Sequence, residues 1–388
     1  MRILELLASP MWTGPAEPMA SVAVELTRRG HSVEAAVDSV RPGDLRERLR
    51  ALRLPLREEL ALSTHSGPLR IAADLRALRR LSPRFDVLHC NFSHDHVQSL
   101  LACAGRSEPR IVRTVHSERS LRARPLQRWV HRRTDGLIAV CEAHARVLRE
   151  EFGVDPRRVI AVRGAVDSTL FTPHGDDLRR ELQIPDDAPV VGIVSRVKPE
   201  RRHRELLDAF RNALRELPQA RLLIVGRGEA LPELQAQVAR NGMQRSVVFA
   251  GYRSGGQLAA AYRTLNAKVL LAEGNDGTCR AMLEAMACGR PVIAYRFGAP
   301  AEVIAEGITG MLLDAGDVAG LGAALMKLLG DRKLASRMGA AARSRVESFT
   351  PPARGEAVER FLTDVLALPP ASAKRLARGS RITAPRSP

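Results

Sequence analysis

A chain of 388 residues with 45% hydrophobic content is too long for one ordinary core and suits two domains, and the lack of any apolar run of about 18 residues excludes a membrane span. A formal charge of +17 asks for an anionic partner, such as a nucleotide, a nucleic acid or a membrane surface, while 4% aromatics leaves little for base stacking. The five cysteines (Cys90, Cys103, Cys141, Cys279 and Cys288) are odd in number and never spaced as C-x-x-C, so they read as small buried side chains and not as a disulfide framework or zinc site.

In chain order, Met1 to Leu7 predicts a first strand. The apolar start MRILELLA is too brief for a signal peptide, so the protein is expected in the cytoplasm. The loop SPMWTGPAEP leads to a helix from about Glu17 to Arg29, a turn at Gly30 and His31, and a strand over Val33 to Val37, which is a βαβ opening. From Arg41 to Leu81 the sequence is rich in arginine and leucine. Leu45, Leu49, Leu52 and Leu56 stand at helical spacing with Arg46, Arg50, Arg53 and Arg57 between them. Further on, LRARPLQRWVHRR sets Leu126, Trp129 and Val130 among Arg124, Arg128, Arg132 and Arg133. Such stripes are either helices packed on their own domain or basic interfacial helices, the second placing the protein peripherally on the inner face of an anionic membrane.

Asp86–Phe92 and Arg110–His116 predict two strands with polar residues at their carboxyl ends, where open α/β sheets bind ligands. His94, Asp95 and His96 follow the first. Histidine and aspartate are metal ligands, but these are consecutive residues at a helix start, where Ser93 or Asp95 serves more simply as a cap. Since no Asp-x-Asp motif occurs either, no metal is expected. Gly136–Cys141 and Arg158–Val162 add strands around a helix from Glu142 to Phe152, and the Pro- and Asp-rich text from Thr172 to Pro189 reads as a connection between domains. PVVGIVSR is a buried strand ending at Arg196, followed by KPERRHRELLDAF, helical from about His203. LLIVGRGEAL carries a G-x-G after a strand, yet it lacks the third glycine, and the next strand, VVFAGYR, ends without an acidic ribose reader; this is not a dinucleotide fingerprint.

The most informative stretch is KVLLAEGNDGTCRAMLEAMACGRPVIAYRFGAPAE, Lys268 to Glu302. Val269 to Ala272 predicts a short buried strand, Gly274 to Gly277 a turn, and Thr278 the N-cap of a helix that Gly289 ends and Pro291 blocks. A helix start offers unpaired N–H groups and partial positive charge, a seat for phosphate or sugar oxygens. Asp276 and Glu284 bracket it, two carboxylates suited to accept hydrogen bonds from vicinal hydroxyls.

As it stands, DGTCRAMLEAMACGRPVIA resembles the signature of the retaining glycosyltransferases of family 4: an acidic residue, seven intervening residues and a glutamate, running into E-A-M-A-C/S-G-x-P-V-(I/V)-A. The resemblance implies an α/β chain of GT-B architecture, two Rossmann-like doubly wound domains facing across a cleft, with the C-terminal helix crossing back. Residues 1–172 would form the acceptor domain, 173–188 the linker, 189–349 the donor-nucleotide domain, 350–367 the returning helix and 368–388 a disordered basic tail. It also implies roles for particular residues. Gly14, Gly277 and Thr278 would bind the donor, Arg196 and Arg201 would hold the diphosphate and meet the charge of the leaving group, Glu284 would hold the ribose, Asp276 the transferred sugar, and His116 its far side. The reaction implied is metal-independent and needs no cofactor: a hexose-type sugar passes with retention from a nucleoside diphosphate to an acceptor hydroxyl, a lipid-linked or cell-envelope glycan being one such acceptor.

Departures from the pattern bear on the donor. Asp276 stands where glutamate is usual, withdrawing the carboxylate by roughly 1.5 Å, and Arg201 replaces a lysine with a planar fork. Gly14 lies between Thr13 and Pro15 and not beside a second glycine, and GAVDSTLF keeps the Asp167 and Phe171 of a further family turn while placing Gly164 and Ala165 in it. Two other classes compete: a nucleotide-sugar epimerase or hydrolase of the same fold, and a non-catalytic basic protein binding membrane or nucleic acid. No nucleic-acid motif occurs, so no specific nucleic acid is expected.

Overall fold

The structure is a computed structural model that describes residues 1–12, 14–122, 124–272 and 279–371. Asp276, Gly277 and Thr278 lie outside the described residues. The chain forms two units, one of Met1–Arg163 with the chain from Pro351 onward, the other of Gly164–Thr350. In chain order the first unit comprises β1 (Arg2–Leu7), α1 (Ala16–Arg28), β2 (Ser32–Val37), α2 (Leu45–Ala51), α3 (Pro68–Leu81), β3 (Val87–Cys90), α4 (Ser93–Ala102), β4 (Arg110–Val115), α5 (Pro125–Arg132), β5 (Gly136–Ala139), α6 (Glu142–Glu150) and β6 (Val159–Ala161). The second comprises β7 (Val190–Val194), α7 (His203–Glu216), β8 (Arg221–Val225), α8 (Leu231–Arg240), β9 (Val247–Gly251), α9 (Gly255–Thr264), β10 (Ala267–Leu270), α10 (Arg280–Ala287), β11 (Val292–Tyr295), α11 (Gly298–Val303), β12 (Gly310–Leu313), α12 (Val318–Gly330) and α13 (Arg332–Val346). The final helix, α14 (Pro351–Ala367), belongs to the first unit.

Among the described residues the strands of the first unit make one parallel sheet in the order β2-β1-β3-β4-β5-β6. Parallel strands are covered on both faces and therefore read as apolar runs. Ile3 and Leu7 of β1, Val87, Val112 and Ile138 pack on Met19, Ala23 and Leu26 of α1 and on Val358, Phe361, Leu362 and Val365 of α14. The opposite face carries Leu4, Leu6, Leu88 and Ile111 against Ala77, Leu78 and Leu81 of α3. Strand order reverses between β1 and β3, which makes the carboxyl ends of those two strands the place for a ligand.

The second unit repeats the scheme in the order β12-β11-β10-β7-β8-β9, again parallel, with its reversal between β7 and β10. Val191, Ile193, Val269, Leu271 and Ile293 pack against Leu206, Leu207 and Phe210 of α7 and against Leu321, Leu325 and Leu328 of α12.

Three boundaries differ from expectation. Residues 164–172 pack in the second unit and not the first, where Val166 N donates to Phe349 O (2.8 Å) and Arg343 Nη1 to Phe171 O (3.0 Å). Residues 173–188 are not a free linker: Leu178 and Ile184 are buried, and Leu178 N donates to Thr264 Oγ1 at 2.9 Å. The tail does not begin at 368, because Arg110 Nη2 donates to Leu368 O (2.7 Å) and Ala371 N to Asp135 Oδ1 (2.8 Å). For residues 173–188 the reason is that proline and aspartate mark irregular backbone and say nothing of whether it is anchored.

Candidate functional site

In the second unit the reversal between β7 and β10 gathers the basic residues. β7 delivers Ser195 and the exposed Arg196 at its carboxyl end. The G-x-G of Gly226 and Gly228 explains how their loop is held. A Cβ on Gly226 (φ +147°) would lie 1.9 Å from Ser195 O, and one on Gly228 would lie 2.1 Å from Val197 O. Only glycine admits so close an approach. The loop after β8 therefore lies directly on the Arg196 loop, with Val197 N donating to Arg227 O (3.0 Å) and Ala230 N to Val197 O (3.1 Å).

Arg201 closes a short turn over Pro199–Arg201, and Arg202 in the left-handed conformation (φ +59°) starts α7. His203 opens that helix. Burial, and then the charge of Arg201, pushes its imidazole down to about 4, so it is neutral at pH 7, with Nε2 3.3 Å from Ser195 Oγ.

Glu284 is buried on the second turn of α10. Tyr262 Oη of α9 donates to its Oε2 at 2.7 Å, and Arg280 Nε lies 3.2 Å from its Oε1. Burial, and then the charge of Glu284, pushes the Tyr262 phenol far up, so it remains a donor. Donors from two helices thus fix the plane of this carboxylate. In β10, Lys268 is fully buried and its Nζ has no hydrogen-bond partner among the described residues. Burial pushes this amine down to about 8, while Cys279 and Glu284 pull it up and Arg201 pushes it down. Arg201 and Glu284, distant in sequence, therefore both act on one buried amine. The N-cap of α10 is Cys279 and not Thr278 as expected, because Cys279 adopts a left-handed backbone (φ +52°) that the helix cannot extend through.

In the first unit a buried polar network lies at the reversal between β1 and β3. Parallel register sets Glu5 of β1 directly beside His89 of β3. Glu5 Oε1 is 2.8 Å from His89 Nδ1, and His89 Nε2 is 2.7 Å from Thr114 Oγ1 of β4. Asn91 Nδ2 donates to Glu5 Oε2 at 3.1 Å, and Asn91 Oδ1 is 3.0 Å from His116 Nε2. Because side chains alternate along a strand, His89 with Asn91 and Thr114 with His116 share the face of Glu5. Burial, followed by the charges of Arg113, His89 and Arg354, pushes His116 far below its ordinary range, so it is neutral.

Gly14 lies in the turn before α1, in a loop anchored by Trp12 N donating to Asp44 Oδ1 (2.8 Å). The consecutive His94, Asp95 and His96 diverge. Asp95 accepts from Phe92 N (2.9 Å) and Ala8 N (3.2 Å), His96 Nε2 meets Thr134 Oγ1 (2.8 Å), and His94 Nε2 meets Gln98 Nε2 (2.9 Å). Among the described residues no group of three or more His, Cys, Asp or Glu could hold a metal ion. Sequence reading passed over Glu5, Asn91, Tyr262 and Lys268. The available signal was a charged residue inside an apolar strand run, RILELL and AKVL.

Known proteins resemble the chain along most of its length. Residues 19–170 match the profile described as Glycosyltransferase Family 4 and residues 175–345 that of Glycosyl transferases group 1. A D-inositol 3-phosphate glycosyltransferase of Stackebrandtia nassauensis is 31% identical over 291 residues, covering 69% of this chain and 65% of that protein. One from Corynebacterium glutamicum is 26% identical over 382 residues, covering 89% and 90%. The chain thus spans slightly less than two thirds of the length of the first of these relatives. Among solved structures, Anabaena HepE in complex with UDP and glucose has a TM-score of 0.78 at 20% identity, covering 94% of this chain and 99% of that one. Sucrose-phosphate synthase of Thermosynechococcus elongatus gives 0.75 at 18%, covering 95% and 100%. At such identities the likeness is one of fold, the GT-B class with its Rossmann-like units. With the two profiles covering most of both units and two parallel six-stranded sheets carrying them, the chain belongs to the group 1 glycosyltransferases of the family 4 type.

Proposed function

We propose that this chain is a retaining, metal-independent glycosyltransferase that moves a hexose-type sugar from a nucleoside diphosphate to an acceptor hydroxyl. The observation that carries the reading is that in the second unit Arg201 and the oriented carboxylate of Glu284 both act on the buried Lys268 amine, which has no hydrogen-bond partner among the described residues, while Arg196 stands at the end of β7 and shares Glu200 with Arg201. Cations there meet the charge that develops on a leaving diphosphate, and a carboxylate accepts from vicinal ribose hydroxyls. In this reading Asp276, Gly277 and Thr278 complete the donor loop, Gly14 adds backbone contact to the donor, and His116 takes a sugar hydroxyl. The leaving phosphate accepts the proton of the acceptor, so no protein nucleophile is required. The name of the relatives makes a phosphorylated polyol one acceptor to try, and the HepE complex with UDP-glucose makes that the first donor to try.

We place the acceptor at an anionic membrane surface, met by α5. Among the described residues no helix is long and apolar enough to cross a membrane. On α5, however, Leu126 is 69% and Trp129 37% exposed, among the exposed Arg122, Arg124, Arg128 and Arg132.

Thermal shift against UDP, GDP and ADP sugars tests the core of the proposal, since a donor at about 100 times its Kd adds about 2.7 kcal/mol of stability. Glu284→Gln should weaken the stabilising nucleotide by about 1–3 kcal/mol, and EDTA should leave transfer unchanged. Absence of stabilisation by every nucleotide sugar, or activity abolished by EDTA and restored by magnesium, would overturn it.

A further inference from the structure

The network around Glu5 determines which nitrogen of His116 carries its proton. Asn91 Nδ2 faces three acceptors: Glu5 Oε2 (3.1 Å), Leu6 O (3.2 Å) and His89 O (3.5 Å). Turning the amide over would set Asn91 Oδ1 against all three, so hydrogen-bond chemistry holds it in one orientation. Asn91 Oδ1 is then what lies 3.0 Å from His116 Nε2, and an oxygen acceptor requires an N–H there. A neutral imidazole protonated at Nε2 has a bare lone pair at Nδ1. His116 Nδ1 is buried and has no hydrogen-bond partner among the described residues. Nothing among the described residues of the unit satisfies it, and an unsatisfied buried acceptor is costly.

We propose that Asn91, oriented by Glu5, is a positioning residue that locks His116 as the Nε2–H tautomer and so presents Nδ1 as an acceptor reserved for a ligand hydroxyl. The chemistry is selective. A hydroxyl can donate to Nδ1, whereas an ionised phosphate or carboxylate has no proton to offer and is refused. The inference rests on the glycosyl-transfer reading only for the identity of the hydroxyl, which would be one on a sugar; the tautomer itself requires no substrate.

The test is a long-range proton–nitrogen NMR correlation on the full chain labelled with nitrogen-15 histidine, with His116 assigned by the signals lost in His116→Gln. Wild-type His116 should show the neutral Nε2–H pattern throughout pH 6–8. In Asn91→Ala that pattern should give way to mixed tautomers, with turnover falling about 10- to 100-fold while UDP affinity stays at the wild-type value. A sugar donor lacking the relevant hydroxyl should slow the wild type by a similar factor and Asn91→Ala hardly further. A protonated or Nδ1–H His116 in the wild type overturns the proposal, and this outcome is readable even where Asn91→Ala fails to fold. An unchanged tautomer in folded Asn91→Ala also overturns it. Should the tautomer behave as expected while no nucleotide sugar is ever turned over, the positioning role stands and the glycosyl-transfer reading fails.

Discussion

Lys268 shows how one side chain can oppose the fold that holds it. Its neighbours in register are Gly192 of β7 and Val292 of β11, and its Nζ meets no acceptor among the described residues. With the amine pushed down from 10.5 to about 8, the folded state gives up its proton more readily than the unfolded chain does. The cost is therefore complete below about pH 8, shrinks as pH rises toward 10.5 and vanishes above it. A shift of that size corresponds to about 3 kcal/mol. Lys268→Met, which keeps volume and removes the charge, should thus raise stability by about 3 kcal/mol at pH 7 and by much less at pH 10, as read from urea denaturation at the two values. Equal stability of the two proteins at pH 7 would mean that the amine finds a partner in solution. A cost retained in the fold in this way is consistent with an anionic ligand as the missing partner, and the same variant should then lose nucleotide affinity as it gains stability.

At the scale of elements, two similar Arg/Leu stripes have different fates. The first was expected to run as one helix through Leu45, Leu49, Leu52 and Leu56. Instead α2 stops at Ala51, Arg53 takes a left-handed backbone (φ +58°), and Leu56 bridges to Ala35 beside β2. Leu45 and Leu49 are fully buried, Arg48 pairs with Asp44 at 2.9 Å, and Arg50 and Arg57 pair with Glu58 and Glu34. Of this stripe only Leu52, 42% exposed, stands out of the core, and those charges are already paired. In α5 only Val130 and His131 are buried, Arg133 stacks over Trp129 at 4.3 Å, and Leu126 stands out into solvent. Periodicity cannot separate the two, because an apolar stripe looks the same whether protein or lipid covers it. The combined variant Leu126→Ser, Trp129→Ser, Arg128→Glu should keep its stability within about 1 kcal/mol. It should also lose sedimentation with anionic vesicles at low salt, since each basic residue contributes about 1 kcal/mol there. Leu45→Ser should show the opposite, a fold destabilised by about 2–5 kcal/mol with unaltered vesicle binding by the molecules that remain folded. Vesicle binding of the α5 variant equal to wild type would remove the membrane from the proposal.

At the scale of the whole molecule the chain returns to the unit where it began. α14 contributes Val358, Phe361, Leu362 and Val365 to the core of the first unit, and Arg354 Nη2 donates to Pro18 O at 3.0 Å. Four buried side chains of this kind are worth about 6–12 kcal/mol, comparable with the entire stability of a typical domain, about 5–15 kcal/mol. Truncation after Thr350 should therefore leave the first unit unfolded or aggregated; a native-like thermal transition from that unit in the truncated chain would refute this. Much of this organisation is legible in the sequence. The alternation of short apolar strands with amphipathic helices determines two parallel sheets, and Arg196, Glu284 and the helix after Gly277 can be placed by motif alone, since spacing along a strand or helix is a local property. Tertiary structure decided what depends on residues far apart: that Glu5 orients Asn91 and through it His116, that Tyr262 fixes Glu284, that Lys268 is left without a partner among the described residues, and that the α2 leucines are core while Leu126 of α5 is not. Hydrogen bonding and burial are relations between side chains brought together only when the sheets form, so no stretch of sequence states them by itself.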